Sequence, residues 1–158
     1  MDRIPSFEKN HDLLMPGLYL STVQRGIATF DLRFKKPNAG DYVSPKASHS
    51  IEHMLATVLR NGPYRENIVY FGPMGCRTGF YLLTAGMTCA QVLAELKRAF
   101  AEALALDRVP GAEKIECGNY LEHDLDGAKG ECRAYLALLD TLTEKDVCAG
   151  AADKGIVL

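Results

Sequence analysis

The feature that most constrains this chain is a pair of histidines four residues apart, within the segment HSIEH at residues 49–53. In a helix, this spacing puts His49 and His53 one turn apart on the same face. At 100° per residue, Glu52, Ala56 and Arg60 lie within about 60° of His49. The apolar residues of the region lie on the opposite face and are Ile51, Met54, Leu55, Val58 and Leu59. We therefore predict an amphipathic helix that packs one face in the core and presents the other for chemistry.

A helix face with two imidazoles is suited to binding a metal ion. The polar face of an ordinary surface helix is usually Lys, Glu and Gln, so two histidines beside the small Ala56 favour metal ligands over a solvated face. A catalytic metal also needs a third protein ligand and one open position. The candidates for this ligand are Cys117, Cys76, His11 and His123. Cys117 precedes a glycine and Cys76 ends the tight turn GPMGC, and these features do not rank one cysteine above the other.

Composition excludes several classes of protein. The 158 residues carry a formal charge of −2, which argues against nucleic acid as the main partner. No apolar run approaches the roughly 18 residues of a membrane span, and the first twelve residues lack the apolar stretch of a secretory signal. The five cysteines are too far apart for a C-x-x-C pair or a dense disulfide framework. We expect a reduced, cytoplasmic protein in which Cys89, Cys132 and Cys148 are small buried hydrophobic residues.

The chain is predicted to form a single domain over residues 1–158, because no repeat or linker divides it. The run from Leu18 to Phe34 reads as extended, and its second half alternates apolar and polar residues as a half-buried strand does. A capping box at Thr88 and Gln91 begins a long helix. The other predicted elements are a loop at 35–45, a helix at about 48–60, strands at 68–71 and 79–85, a short strand within 109–118 and a helix at about 130–142. This order predicts an α+β fold in which helices cover one antiparallel sheet, with the metal site on a helix.

Several further segments carry a family resemblance. In chain order they are Ser6-Phe7 with His11, FDLRF at 30–34 with Pro37-Asn38, HSIEH at 49–53, GPMGCRTGFY at 72–81, ECG at 116–118, His123, and GAK at 127–129. Together they resemble the S-ribosylhomocysteine lyase family, the LuxS enzymes. The matches follow the family's order over nearly the whole chain, close to the family's length. Peptidases with H-x-x-E-H are much larger and lack the Met-Gly-Cys turn.

The resemblance assigns roles to the candidate residues. It implies that His49, His53 and Cys117 bind one divalent metal per subunit, Fe²⁺ natively and Zn²⁺ or Co²⁺ in prepared protein. It also implies that Cys76 and Glu52 are the acid–base catalysts. The positions matching the family's substrate pocket are Ser6, His11 and Arg33.

The resemblance also implies a reaction and an assembly. The family cleaves S-ribosylhomocysteine to homocysteine and 4,5-dihydroxy-2,3-pentanedione, the precursor of the quorum-sensing signal autoinducer-2. The sugar carbonyl migrates from C1 to C2 to C3 through enediolates before homocysteine is eliminated. Each migration needs a Lewis acid and a group that removes and returns a carbon-bound proton. The implied assembly is a homodimer with sites at the subunit interface, and it involves neither nucleic acid nor a membrane.

Two features of the sequence concern how the amino-acid end of the substrate would be bound. Arg60 lies about 10 Å along the helix axis from His53. This distance suits a partner for the homocysteine carboxylate, and an arginine favoured by the helix dipole explains it equally well. Many family members have Asp-Ile-Ser before Pro-Met-Gly-Cys, where the Asp contacts the substrate's amino group. This chain has Tyr70-Phe71-Gly72 there, which leaves open how that amino group is held.

Three alternative functions remain. A structural zinc protein would close the site with Cys76 as a fourth ligand. A metallohydrolase would use Glu52 as the general base for a metal-bound water and would not need Cys76. A binding protein could have kept the fold without activity, which the intact set of candidate catalytic residues disfavours.

Overall fold

The computed structural model describes residues 10–152. Four strands form one antiparallel sheet in the order β1-β2-β4-β3. They are β1 (Gly17–Gln24), β2 (Ile27–Arg33), β3 (Ile68–Pro73) and β4 (Gly79–Ala85). The α-helices within the described residues are α1 (Pro45–Arg60), α2 (Cys89–Ala105), α3 (Leu125–Asp140) and α4 (Glu144–Ala152). The predicted α+β class, with helices covering one antiparallel sheet, is confirmed, and among residues 10–152 no helix has the length and apolar character to cross a membrane.

Strands β1 and β2 form a hairpin, whereas the sequence predicted one extended run. Arg25 and Gly26 connect them with φ angles of 52° and 76°. Positive φ at both central residues is the conformation of a two-residue hairpin turn whose twist matches the strands. The chain therefore reverses in the middle of the predicted run, and β2 becomes a central strand that pairs with both β1 and β4.

Glycine is required where β2 and β4 meet. Gly79 pairs with Arg33, and a Cβ added to Gly79 would overlap the backbone carbonyl oxygen of Leu32. The close approach fixes the start of β4, at the residue predicted from the sequence, against the end of β2. It thereby places the turn between β3 and β4 beside Arg33.

Helix α1 has the predicted core face. Its apolar residues are at most 3% exposed and are Ile51, Met54, Leu55, Val58 and Leu59. The helix begins three residues before the predicted start, since Ser44 caps it by accepting from the Ala47 N–H at 3.2 Å and Pro45 occupies its first turn. Proline is favoured there because the first N–H groups of a helix have no partner within it. The capping box of α2 at Thr88 and Gln91 is confirmed.

The segment between α2 and α3 differs from the prediction. Residues 109–118 contain no strand and form a series of turns. Helix α3 begins at Leu125, five residues before the predicted start, because the Asp124 side chain accepts from the Gly127 N–H at 2.8 Å and caps the first turn. Helix α4 was not predicted. Residues 106–124 therefore form an irregular connection that crosses α1 before α3 begins.

Two cysteines correct the prediction of free thiols. Cys89, at the start of α2, and Cys148, in α4, are joined by a disulfide. Cys132 is a buried thiol as predicted, and burial raises its pKa to about 12. Sequence spacing does not reveal a bond between cysteines that lie far apart in the chain, and the cytoplasmic location stays a prediction.

Candidate metal and catalytic site

Both histidines of α1 are oriented by backbone carbonyls. The Nδ1 atom of His49 lies 3.0 Å from the carbonyl oxygen of Glu122, and that of His53 lies 2.9 Å from the carbonyl oxygen of Pro110. A carbonyl oxygen only accepts hydrogen bonds, so these contacts favour the tautomer with the proton on Nδ1. The Nε2 lone pairs are then free to bind a metal, as in many metal-binding histidines.

The irregular segment before α3 supplies two more donor atoms. The buried Cys117 places its Sγ 3.5 Å from Nε2 of His49 and 3.6 Å from Nε2 of His123. One ligand atom from each of His49, His53, Cys117 and His123 lies within 4.8 Å of the others. The structure thus places two of the four candidate third ligands, Cys117 and His123, beside the two histidines. Cys76 and His11 are not members of this group.

The donor set fits a transition-metal ion. With metal–sulfur and metal–nitrogen bonds of about 2.3 and 2.1 Å, neighbouring ligands of a tetrahedral site are about 3.6 Å apart. The separation of 3.5 Å between Cys117 Sγ and His49 Nε2 agrees with this value. A thiolate with imidazoles suits zinc, iron and cobalt. The group could therefore hold one metal ion.

His123 is held differently from the histidines of α1. Its Nδ1 lies 3.2 Å from the Ser50 hydroxyl oxygen, which also accepts from the Asp124 N–H at 2.8 Å. Burial lowers the pKa of His123, and the nearby His49 and His53 lower it further. The neutral form, which is the form able to bind a metal or accept a hydrogen bond, is favoured.

Two cavities flank Glu52. The first, of about 570 Å³, is lined by Glu52, His49, His53 and Cys117 together with neighbouring residues. The second, of about 420 Å³, is lined by Glu52 and His49 and, on its other side, by Met74, Gly75 and Arg77 of the turn that carries Cys76. Glu52 therefore lies between the histidine–cysteine group and that turn.

The turn between β3 and β4 presents Cys76 to solvent. The Arg77 N–H donates to the Met74 carbonyl at 2.9 Å, and the Met74 N–H donates to the Gly79 carbonyl at 2.9 Å. Arg77 has a φ of 59°, in the left-handed region that residues with side chains seldom adopt. The thiol of Cys76 is exposed at the tip of this turn.

A buried ion pair lies behind Cys76. Arg33 is 1% exposed and Asp31 is fully buried, and the guanidinium donates to both carboxylate oxygens at 3.1 and 2.7 Å. The alternation in β2 had predicted a strand buried on one face only. In the structure, Tyr19 of β1 and Tyr81 of β4 pair with Asp31 and flank it on the face that carries the polar side chains of β2. These polar residues of β2 are therefore buried too.

The pKa of Cys76 is lowered from its ordinary value of 9.0. Burial acts to raise it, but hydrogen bonds from Thr78 and the positive charge of Arg33 outweigh burial. Arg33 Nη1 lies 3.8 Å from the sulfur, and Thr78 Oγ1 lies 3.0 Å from it. A lowered pKa increases the thiolate fraction near neutral pH, which is the form able to act as a base or nucleophile.

The other predicted substrate residues are Ser6, His11 and Arg60. Ser6 lies outside the described residues. His11 is half-buried ahead of β1, and Arg60 is exposed at the end of α1, where its guanidinium donates to the Val69 carbonyl at 3.2 Å. Neither His11 nor Arg60 lines the two cavities beside Glu52.

The segment that departs from the family pattern has its own packing. The exposed Tyr70 folds its ring back over Gly72, so that a Cβ on Gly72 would overlap the Tyr70 hydroxyl. A side chain at position 72 and the present Tyr70 rotamer are therefore incompatible.

Comparison with known proteins identifies the family. The family model described as S-Ribosylhomocysteinase (LuxS) matches residues 4–146. The chain is 44% identical to the S-ribosylhomocysteine lyase of Borreliella burgdorferi over 154 residues, covering 93% of this chain and 98% of that protein. It is 42% identical to the S-ribosylhomocysteine lyase of Clostridium acetobutylicum over 151 residues, 91% of this chain and 96% of the relative. A matching family model over most of the chain, relatives of this identity and the conjunction of two histidines with a cysteine agree, and the chain belongs to the LuxS family.

Proposed function

We propose that this chain is a metal-dependent carbon–sulfur lyase that cleaves S-ribosylhomocysteine to homocysteine and 4,5-dihydroxy-2,3-pentanedione. The observation that carries the proposal is the cavity lined jointly by His49, His53, Cys117 and the carboxylate of Glu52. The names of the relatives supply the substrate. The second product would be the precursor of autoinducer-2, made for signalling or as a by-product of methyl-cycle recycling.

The proposed cofactor is one divalent metal per subunit, held by His49, His53 and Cys117. We propose Fe²⁺ as the native ion, with Zn²⁺ or Co²⁺ able to substitute, because all three accept imidazole and thiolate ligands. When bound, such an ion supplies a Lewis acid that stabilises negative charge developing on the sugar oxygens. The carbonyls of Glu122 and Pro110 keep the two imidazoles in ligand orientation.

Glu52 is proposed to move protons between sugar oxygens. It precedes the ligand His53 on α1 and lines the same cavity as the histidines and Cys117. A carboxylate there is within reach of hydroxyl groups that approach the metal ligands, so it can take a proton from one oxygen and give it to the next. Its position between the two cavities would let it serve both carbonyl migrations.

Cys76 is proposed to exchange protons with carbon. As a thiolate it removes a carbon-bound proton from one carbon of the sugar and, as the resulting thiol, returns it to the neighbouring carbon, which moves the carbonyl by one position. In the last step a basic group of the site takes the proton from C4, the C4–C5 double bond forms and the C5–sulfur bond breaks. The electron pair of that bond leaves with homocysteine, whose thiolate then takes up a proton. The resulting enol gains a proton at C5 and loses its hydroxyl proton to give the dione.

Ser6, His11, Arg33 and Arg60 are proposed to contact the substrate. For Arg60, the guanidinium already lies at the β3 edge beside Val69, next to the exposed Tyr70. If Arg60 binds the homocysteine carboxylate, Arg60→Gln raises KM and leaves kcat nearly unchanged, since the lost contact is distant from the reacting carbons. An unchanged KM would mean that Arg60 only stabilises the end of the helix and does not bind the substrate.

We also propose a homodimer with the sites at the interface. Large apolar side chains are exposed near the site, including Tyr120 and Leu121 in the segment between Cys117 and His123. Exposed apolar groups of this kind are typical of interfaces. Sedimentation equilibrium should give a dimer mass, and a monomer at concentrations where the enzyme is active would contradict the proposal.

The test of function is release of homocysteine from S-ribosylhomocysteine by metal-loaded protein, measured as free thiol with enzyme far below substrate. We expect turnover by the native chain, and near-complete loss in Cys76→Ala and Glu52→Gln. The matched control is Glu66→Gln, which removes an exposed carboxylate paired with Arg65 away from the site. No thiol release by folded, metal-loaded protein would overturn the proposal. Activity that survives Cys76→Ala would favour the hydrolase alternative.

A second candidate is a structural zinc protein with a closed site. The observation that favours it is the position of His123. Its Nε2 lies 3.6 Å from Cys117 Sγ, and the Nε2 of His49 lies 3.5 Å from the same atom. Four protein ligands would leave no position for a substrate. Zinc-loaded protein that binds neither substrate nor a small thiol competitor at the metal would support this candidate.

A further inference from the structure

Thr78 links Arg33 to Cys76. The Arg33 Nη1 atom lies 2.5 Å from Thr78 Oγ1, which lies 3.0 Å from Cys76 Sγ. Thr78 is 2% exposed and is the first residue after the left-handed Arg77. Its backbone carbonyl accepts from the N–H groups of Phe34 and Lys35 at 2.9 and 3.0 Å. The hydroxyl is therefore held in a buried position directly behind the thiol.

The direction of these hydrogen bonds follows from the chemistry of the guanidinium. Arginine carries donors only, so in the contact with Arg33 the Thr78 oxygen must accept. The hydroxyl has a single proton, which this contact does not use. Within residues 10–152, Thr78 Oγ1 also lies within hydrogen-bond distance of Cys76 Sγ. The proton therefore points at the sulfur, and the sulfur accepts.

Burial makes this arrangement hard to avoid. A hydroxyl proton left without an acceptor in the interior costs free energy, and Thr78 is almost completely buried. Arg33 cannot turn away from Thr78, since its Nε and Nη2 atoms donate to the Asp31 carboxylate. The ion pair thus fixes Arg33, Arg33 fixes the orientation of the Thr78 hydroxyl, and the hydroxyl is directed at Cys76.

We propose that Thr78 is a positioning residue. Its hydroxyl donates to the sulfur of Cys76, favours the thiolate over the thiol and fixes the orientation of the sulfur. The sulfur accepts a hydrogen bond from the Thr78 hydroxyl and faces Arg33 Nη1, and both interactions favour a negative charge on the sulfur. The inference deepens the proposed function, because it concerns the group proposed to exchange protons with carbon. It needs no substrate, so it is tested separately from the lyase reaction.

The groups that face Cys76 set the controls. Arg33 from β2 acts on Cys76 and is itself paired with Asp31, the titratable Tyr81 from β4 also interacts with the thiol, and Arg77 is its neighbour in the turn. Thr78 contributes its backbone N–H as well as its hydroxyl. Thr78→Val removes the hydroxyl and keeps the backbone N–H, the size of the side chain and every one of these charges. Thr78→Ser keeps the donor and is the matched control.

The experiment is the pH profile of Cys76 alkylation by iodoacetamide, followed by peptide mass spectrometry to separate Cys76 from the buried Cys117 and Cys132. We expect Thr78→Val to shift the midpoint upward by about one pH unit, so that alkylation at low pH is about tenfold slower, because a hydrogen bond to a charged group is lost. Thr78→Ser should retain the native midpoint.

A Val profile that superimposes on the native profile, with native circular dichroism, would overturn the proposal. A Ser variant shifted as far as the Val variant would also overturn it, since the donor would then be irrelevant. If Thr78→Val does not fold, Thr78→Ala removes the same donor without an added methyl group, and an unshifted midpoint in that variant contradicts the proposal. Absence of lyase activity in the native protein would leave these profiles unchanged and would count against the proposed function only.

Discussion

His53 Nδ1 lies 2.9 Å from the carbonyl oxygen of Pro110, which places an acceptor that cannot donate behind a candidate metal ligand. The contact favours the imidazole tautomer whose Nε2 lone pair faces the cavity. His123 has the opposite kind of partner, because the Ser50 hydroxyl at its Nδ1 can either donate or accept. The two histidines can therefore have different roles within one group of donor atoms.

His123 is predicted to support the metal without being required for it. A neutral His123 with Nε2–H can donate to the Cys117 sulfur, at the separation of 3.6 Å. His123→Gln should then weaken metal affinity by about tenfold, which is the scale of a substitution next to a ligand. The measurement is competition with a chromogenic chelator, with His11→Gln as the matched histidine control. Complete loss of stoichiometric binding would make His123 a ligand and would favour the closed site.

The lowered pKa of Cys76 predicts how stability depends on pH. Between the folded and the ordinary pKa the unfolded chain binds more protons than the folded chain, so stability rises with pH there. The contribution is fully present above the ordinary pKa of 9.0 and is lost as pH falls through the folded value. Urea unfolding of the native chain and Cys76→Ala should show a stability difference that moves in favour of the native chain as pH rises. A difference that is constant with pH would contradict the shift.

Two glycine substitutions are predicted to have opposite effects. Gly79→Ala forces the new Cβ against the Leu32 carbonyl and should destabilise the fold by about 1–3 kcal/mol. Gly130 lies inside α3, where an added Cβ meets nothing within 4 Å. Gly130→Ala should therefore stabilise the protein by up to about 1 kcal/mol through helix propensity. Urea unfolding checks both signs, and destabilisation by Gly130→Ala would contradict the packing at α3.

The disulfide predicts a change in thiol count and in stability. Denatured protein should label at Cys76, Cys117 and Cys132 only, and reduced protein at all five cysteines. The bond closes a loop of 59 residues between α2 and α4. Reduction should then cost up to about 4 kcal/mol through the entropy of the unfolded chain. Mass spectrometry after alkylation gives the count, and five labelled thiols without reductant would contradict the pairing.

Periodicity predicted the elements whose side chains meet the core, and it was less informative about their ends. The bounds of β4 and the buried face of α1 followed from apolar spacing. The hairpin turn at Arg25-Gly26 was missed because the residues on both sides read as strand, although a glycine after a polar residue is its signal. The start of α3 was missed because Gly127 and Gly130 lower the helix propensity of this segment. The Asp124 cap stabilises the first turn and offsets that loss.

Some residues of the candidate site could be placed from the sequence and others could not. The placement of His49 and His53 follows from helical geometry, whereas Cys117 and His123 lie on an irregular segment whose path depends on tertiary packing. The two residues are six positions apart, with no regular element to predict their approach. The buried Asp31–Arg33 pair was also not predictable from alternation, because a central strand can bury both faces.

The proposed function requires that one ion binds His49, His53 and Cys117 and keeps a position open for substrate. X-ray absorption of the zinc-loaded protein tests it most directly, with Cys117→Ser as the variant and Cys132→Ser as its control. We expect one sulfur at about 2.3 Å and nitrogen or oxygen ligands at about 2.0–2.1 Å. We also expect that the sulfur is lost in Cys117→Ser alone and that the oxygen shell changes when S-ribosylhomocysteine is added. Two sulfurs, no sulfur, or a shell that the substrate leaves unchanged would contradict the proposal.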